Sequence, residues 1–203
     1  MEITVVTSTK PIENEALQIC RLFESGLSTL HLRKPKWTKD QVEALIKEIP
    51  SDFHKCIIVH GNYDLAVKYK LKGIHLHRKH RSPKLRNRVK RFLLKLKHPS
   101  LMITTTFNSL ESLRENQQVF DYVFLSSVFN SHAYYHQNEE AGPNMLRSII
   151  NKTQCPVYAL GGVTEEKLSL VKTAGFGGVG LSSLVWKNLD SQPERIYSII
   201  KAA

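Results

Sequence analysis

A short apolar run followed by a helical apolar pattern recurs about every 25 residues along this chain, and a repeat of that kind leaves few folds open. Strands separated by helices run parallel, because each helix carries the chain back to the edge from which the next strand starts. The runs predicted as strands cover residues 3–7, 29–33, 56–60, 73–77, 101–105, 122–126, 157–160 and 178–181. The predicted helices cover 13–25, a segment opening at Thr38, then 63–70, 83–97, 110–117 and 144–152, with further helical patterns after the last two strands. In the first helix Ala16, Ile19, Cys20 and Phe23 fall on one face. In the second, Val42, Leu45 and Ile46 follow Thr38 and Gln41, which stand at capping-box spacing. Eight such units fit one α/β domain over residues 1–203, a single-domain (β/α)8 TIM barrel. An open doubly wound sheet is the other arrangement of such units, but no Gly-x-Gly-x-x-Gly turn follows the first strand.

With 203 residues and 41% apolar content, the chain can bury a sizeable core without dividing into two domains. No apolar run reaches the ~18 residues of a membrane span, and Met1-Glu2-Ile3-Thr4 enters a strand pattern directly, so no membrane association and a cytoplasmic location are expected. Cys20, Cys56 and Cys155 are odd in number and widely spaced, which suggests neither a disulfide framework nor a zinc motif, and buried thiols are expected.

In a barrel of parallel strands the active site lies at the C-terminal strand ends. The last two units end in Gly161-Gly162 and in Ser182-Ser183, each at the start of a helical pattern, where bare backbone amides can converge on a phosphate. Histidines gather at the other strand ends. Alternation places His31 and Arg33 on one side of the second strand and His75 and His77 on one side of the fourth, while His60 ends the third and Thr105 the fifth. Arg33 can grip a phosphate or carboxylate with two donors, and a nearby imidazole can move protons near neutral pH. Three of the imidazoles could together hold a metal, but no carboxylate and no regular ligand spacing supports one, so no metal is expected.

Residues 78–97 hold ten of the 29 Lys and Arg residues and no acid, in a chain of net charge +11. Such a patch can neutralise nucleic-acid phosphates. The simpler reading uses Leu85, Val89, Phe92, Leu93 and Leu96, which recur at helical spacing. They are expected to face the barrel and leave the cations in solvent, so nucleic acid is not the expected partner.

The order of His31-Leu32-Arg33, Asp64-Leu65-Ala66, Gly73-Ile74-His75-Leu76, Asp121-Tyr122-Val123, Gly161-Gly162-Val163-Thr164 and Ala174-Gly175-Phe176-Gly177-Gly178-Val179 resembles the thiamine-phosphate synthase/TenI family of small barrels, over about Ile3 to Ser183. The resemblance implies a thiazole phosphate or thiamine phosphate as ligand, its phosphate held by Gly162 and the backbone at Ser182 and Ser183. A homodimer is compatible with the sequence.

Departures from the family pattern bear on the reaction. The synthase motif Gln-Leu-Arg-x-Lys reads His31-Leu32-Arg33-Lys34-Pro35, the Asn-Asp pair after the third strand reads His60-Gly61, and the Asp after the fourth falls at His80. Both carboxylates that would bind magnesium are therefore replaced. The loop after the sixth strand reads Asn130-Ser131-His132-Ala133-Tyr134, keeping a hydroxyl at Ser131 but not the lysine. The pattern resembles the TenI branch, which isomerises a carboxythiazole phosphate to its aromatic tautomer by proton transfer, without a cofactor. The branch's histidine after the sixth strand is Ser127 here, which makes His132 the leading acid/base candidate, with His31 beside it. The alternatives are a thiamine-phosphate synthase with a rebuilt diphosphate pocket, the one case in which magnesium is expected, and a non-catalytic phosphate-ligand protein.

Overall fold

The computed structural model describes residues 1–82, 84–116, 118–129, 146–148 and 150–202. Strands β1 Glu2–Val6, β2 Leu30–Leu32, β3 Ile57–His60, β4 Gly73–Leu76, β5 Met102–Phe107, β6 Tyr122–Ser126, β7 Val157–Leu160 and β8 Gly178–Leu181 close into one parallel barrel in chain order, with β8 returning to β1. The described helices are α1 Glu15–Glu24, α2 Lys39–Glu48, α3 Tyr63–Lys68, α4 Arg78–Arg81, α5 Leu85–Lys97, α6 Leu110–Arg114, α7 Leu168–Thr173, α8 Ser183–Asn188 and α9 Pro193–Lys201. The repeat thus gives the (β/α)8 barrel, although strand and helix ends differ by one or two residues in most units. The predicted helix over 83–97 is α5, preceded by the short helix α4 that the sequence reading did not anticipate, and the segment 130–145 together with residue 149 lies outside the described residues.

Two apolar layers hold the barrel. The larger fills the space between strands and helices, where α2 buries Val42, Leu45 and Ile46 and α9 buries Ile196, Ile199 and Ile200. Each such side chain contributes roughly 1.5–3 kcal/mol. The capping box at the start of α2 forms as spaced: Gln41 N donates to Thr38 Oγ1 at 3.3 Å and Thr38 N to Gln41 Oε1 at 2.9 Å. The smaller layer fills the barrel itself with Val6, Ile58, Tyr122, Phe124 and Tyr158.

Helix α5 departs from the expectation. Leu85, Val89, Phe92, Leu93 and Leu96 are 74, 47, 62, 51 and 61% exposed, so the predicted inner face points to solvent. The side turned toward the barrel carries Asn87, Arg91, Leu94 and His98. Arg91 Nη1 donates to His80 O and Arg81 O at 3.3 and 3.4 Å, Nη2 reaches Gln118 Oε1 at 3.1 Å, Asn87 Nδ2 reaches Ser82 Oγ at 2.9 Å, and a His98 ring nitrogen donates to Leu71 O at 2.8 Å. Carbonyls at the end of α4 lack helical partners and need donors, and Arg91, with Asn87 donating to Lys79 O and Ser82 O at 3.2 and 3.3 Å, supplies them. Among the described residues, no helix is long and apolar enough to cross a membrane.

Candidate active site

Inward-facing residues at the C-terminal strand ends enclose a cavity of about 390 Å³. Its lining includes Arg33, Lys34, His60, His75, His77, Arg78, Thr106, Asn108, Phe124, Ser126 and Leu160. Strand alternation therefore brings Arg33, His60 and His77 together as expected. Thr105 goes the other way: its side chain is fully buried outside the barrel, where Oγ1 donates to Leu76 O at 2.9 Å. Its neighbours Thr104 and Thr106 face inward, and Thr106 takes the place in the lining. The reason is that β5 runs on to Phe107, so its mouth residue lies one position further along. Asn108, Ser126 and Phe124 also join the lining without having been singled out in sequence. The period-two alternation of β6, which sends Tyr122, Phe124 and Ser126 to one side, was the available signal.

Beneath the cavity lies a cluster of aromatic rings. The register His60 opposite His75 stacks these two imidazoles, with centroids 4.0 Å apart and an interplanar angle of 10°. His31 is fully buried below them; its Nδ1 shares a 3.0 Å hydrogen bond with His60 Nε2, and its Nε2 is hydrogen-bonded to the Tyr122 hydroxyl. Thr104 Oγ1 donates to Ile74 O, so it accepts from His75 Nδ1 at 2.8 Å. That assigns the proton of neutral His75 to Nδ1 and leaves Nε2 to accept from Thr106 Oγ1 at 2.9 Å. Burial, followed by the neighbouring His75 charge, holds His31 and His60 well below the usual histidine range. His75 is lowered to about 3, by burial and then by His77 and Arg33. His77, near the solvent, is lowered less, by burial and then by Lys79 and Arg33. Burial thus favours the neutral imidazole in all four. His31 does not line the cavity and meets it only through its hydrogen bond to His60.

The other candidates occupy the far rim. Pairing of Leu160 with Gly180 sets the turn after β7 beside the turn after β8. Gly161 and Gly162 have φ of +91° and +71°, in the left-handed region that a side chain would strain. Lys167 Nζ donates to Gly162 O at 3.3 Å, which brings a cation to this turn. Ser182 is the residue before α8 and Ser183 its first. Ser131 and His132 lie outside the described residues.

The sequence profile of the TMP-TENI family, described as thiamine monophosphate synthase, matches residues 3–185. A putative thiamine-phosphate synthase 2 of Aquifex aeolicus is 24% identical over 175 residues, covering 84% of this chain and 89% of that protein. The thiamine-phosphate synthase of Persephonella marina is 24% identical over 212 residues, covering 99 and 96%. Among solved structures, the thiamine phosphate pyrophosphorylase of Bacteroides thetaiotaomicron superposes with a TM-score of 0.75 at 28% identity, covering 99% of this chain and 94% of that one.

Proposed function

The chain belongs to the thiamine monophosphate synthase family, and from that premise we propose that it binds a thiazole phosphate at the barrel mouth and acts as a TenI-like tautomerase. The observation that carries this reading is the chemistry of the cavity: among the described residues its lining holds imidazoles, guanidiniums and hydroxyls and no carboxylate. Magnesium takes hard oxygen ligands, usually including one or two carboxylates. Among the described residues Gly61 and His80 stand where the synthase pattern has its acids, and His80 Nδ1 is engaged by the Tyr63 hydroxyl at 3.1 Å. The donor set among the described residues does not fit magnesium. A tautomerisation needs only an anchored substrate and a group that moves a proton.

In this reading the phosphate lies between the Gly161-Gly162 and Ser182-Ser183 turns, and Arg33 pairs with the substrate carboxylate across the cavity. His132, from the loop after β6, and His77, at the cavity rim, are the proton carriers. The names of the relatives and the retained Arg33 favour the second reading, a synthase.

The deciding assay supplies a carboxythiazole phosphate to the parent protein and to His132→Ala and His77→Asn. A fall of about 10²–10⁴ in one variant identifies the acid/base; no turnover by the parent leaves only ligand binding. Formation of thiamine phosphate from pyrimidine diphosphate and thiazole phosphate, dependent on magnesium, would put the synthase first. The anchor is tested separately. Gly162→Asp sets a carboxylate against the phosphate and is expected to abolish thiazole phosphate binding, whereas Gly162→Asn, which tolerates the same backbone conformation without the charge, is expected to bind more weakly but measurably. Equal affinity in the parent and the Asp variant would move the phosphate elsewhere.

A further inference from the structure

A buried histidine that serves only packing has a recognisable form in this fold. His54, also buried, lies with one ring nitrogen 3.0 Å from both Ile46 O and Ile49 O, so backbone carbonyls satisfy it. The three histidines under the cavity are arranged differently. They come from adjacent strands β2, β3 and β4, and their nitrogens point at one another or at hydroxyls. Taking one ring nitrogen from each of His31, His60 and His75, all three atoms lie within 4.8 Å of one another. The closest pair, His31 Nδ1 and His60 Nε2, is 3.0 Å apart. Around a tetrahedral ion with metal–nitrogen bonds of about 2.0–2.1 Å, neighbouring ligand atoms stand about 3.3 Å apart.

We propose that His31, His60 and His75 form a three-imidazole site for a divalent transition metal of the zinc class, with its open coordination position facing the cavity. The donor set selects the ion: imidazole suits zinc and its first-row neighbours, and among the described residues the lining has no carboxylate to favour magnesium or calcium. Partners for the outer nitrogens of His31 and His75 are already in place. The Tyr122 hydroxyl holds His31 Nε2, leaving Nδ1 to face the ion, and whichever nitrogen of His75 turns inward, Thr104 or Thr106 holds the other. Such partners fix the tautomer and the ring plane of metal-bound histidines. His60 and His75 both border the cavity, which gives the ion an entry path and room for a fourth ligand, water or a polar atom of the substrate. Coordination tilts these two rings out of their parallel stack so that their lone pairs converge. The site goes beyond the tautomerase reading and does not depend on it.

The probe is zinc alone. The full-length protein is exposed to zinc, freed of excess by gel filtration, and measured for metal content and for melting temperature. One zinc per chain and a raised melting temperature are expected, with no effect of magnesium. His60→Gln and His75→Asn are expected to lose stoichiometric zinc, and Tyr122→Phe, which keeps the ring, is expected to weaken zinc about 10–100-fold. His98→Gln, on the outer surface, is expected to retain one zinc. Melting curves without metal establish that each variant is folded. Cobalt in place of zinc is expected to give the visible spectrum of a four-coordinate ion, lost in His60→Gln. No zinc above the buffer blank in the parent protein, or full zinc in a folded His60→Gln/His75→Asn double variant, overturns the site.

Discussion

The side chain of Lys34 has no exposure to solvent, and its Nζ lies 2.6 Å from Glu15 Oε2, 3.1 Å from Lys10 O and 4.6 Å from the centroid of the Trp37 ring. A buried ion pair of this kind contributes little net stability, since desolvation offsets the attraction, but losing one partner leaves a bare charge. Glu15→Gln is therefore expected to destabilise by about 3–5 kcal/mol in urea unfolding, while Glu15→Leu combined with Lys34→Met returns most of that loss. The pH dependence follows from Glu15. Burial raises its pKa above the ordinary 4.5 even though the Lys34 hydrogen bond and charge pull it down. In Lys34→Met that opposition is gone, so the folded state favours protonated Glu15 more strongly. Stability of that variant is expected to be fullest below the unfolded carboxyl value and to fall as pH rises through the folded one, more steeply than in the parent. A urea midpoint that does not fall over that range would show that Glu15 stays ionised without Lys34. In sequence Lys34 falls at the unspecified position of the family motif and is not singled out, because its partner lies 19 residues earlier and meets it through the fold.

At the scale of elements, α5 separates what periodicity encodes from what it does not. The spacing of Leu85, Val89, Phe92, Leu93 and Leu96 gives the helix and its two faces correctly. Which face turns inward depends on what the neighbouring elements need, and here the end of α4 needs hydrogen-bond donors that Arg91 and Asn87 supply. Phe92→Ser and Leu93→Ser are therefore expected to change stability by no more than about 0.5 kcal/mol, as surface substitutions do. Arg91→Ala is expected to cost about 1–3 kcal/mol, because it leaves the carbonyls of His80 and Arg81 without donors. Denaturant midpoints of the three variants, measured together, distinguish the orientations: a loss of several kcal/mol at Phe92 with none at Arg91 would mean that the apolar face is buried. The capping box of α2 was legible for the opposite reason, since both partners lie within four residues and require nothing from the rest of the fold.

For the whole molecule, the closed barrel was legible from the alternation of units, and the cavity from the rule that such barrels work at the C-terminal strand ends. Less visible was how side chains from distant strands meet. His31, His60 and His75 are separated by 29 and 15 residues, a spacing that matches no ligand motif, and only the register of β2, β3 and β4 brings them together. The same holds for the filling of the barrel. Tyr122 and Tyr158 stack inside it with centroids 4.2 Å apart, and they fit because β8 presents glycine on its inner side. A Cβ at Gly178 would stand 2.6–2.7 Å from three atoms of the Tyr158 ring, and one at Gly180 would stand 2.8 Å from Leu160 Cδ1 and Phe124 Cε1. In sequence Gly178 and Gly180 read as part of a phosphate-type unit, yet their bare Cα atoms serve barrel closure, since β8 joins β7 to β1. Gly178→Ala is thus expected to cost about 1–3 kcal/mol as an overpacked core does. In a Tyr158→Leu background, which removes the ring and its hydrogen bond to Glu2, the added methyl has room and the same substitution is expected to cost much less. The double-mutant cycle in urea isolates this coupling; equal costs in both backgrounds would mean that Gly178 is required by the β8 backbone and not by the aromatic filling of the barrel.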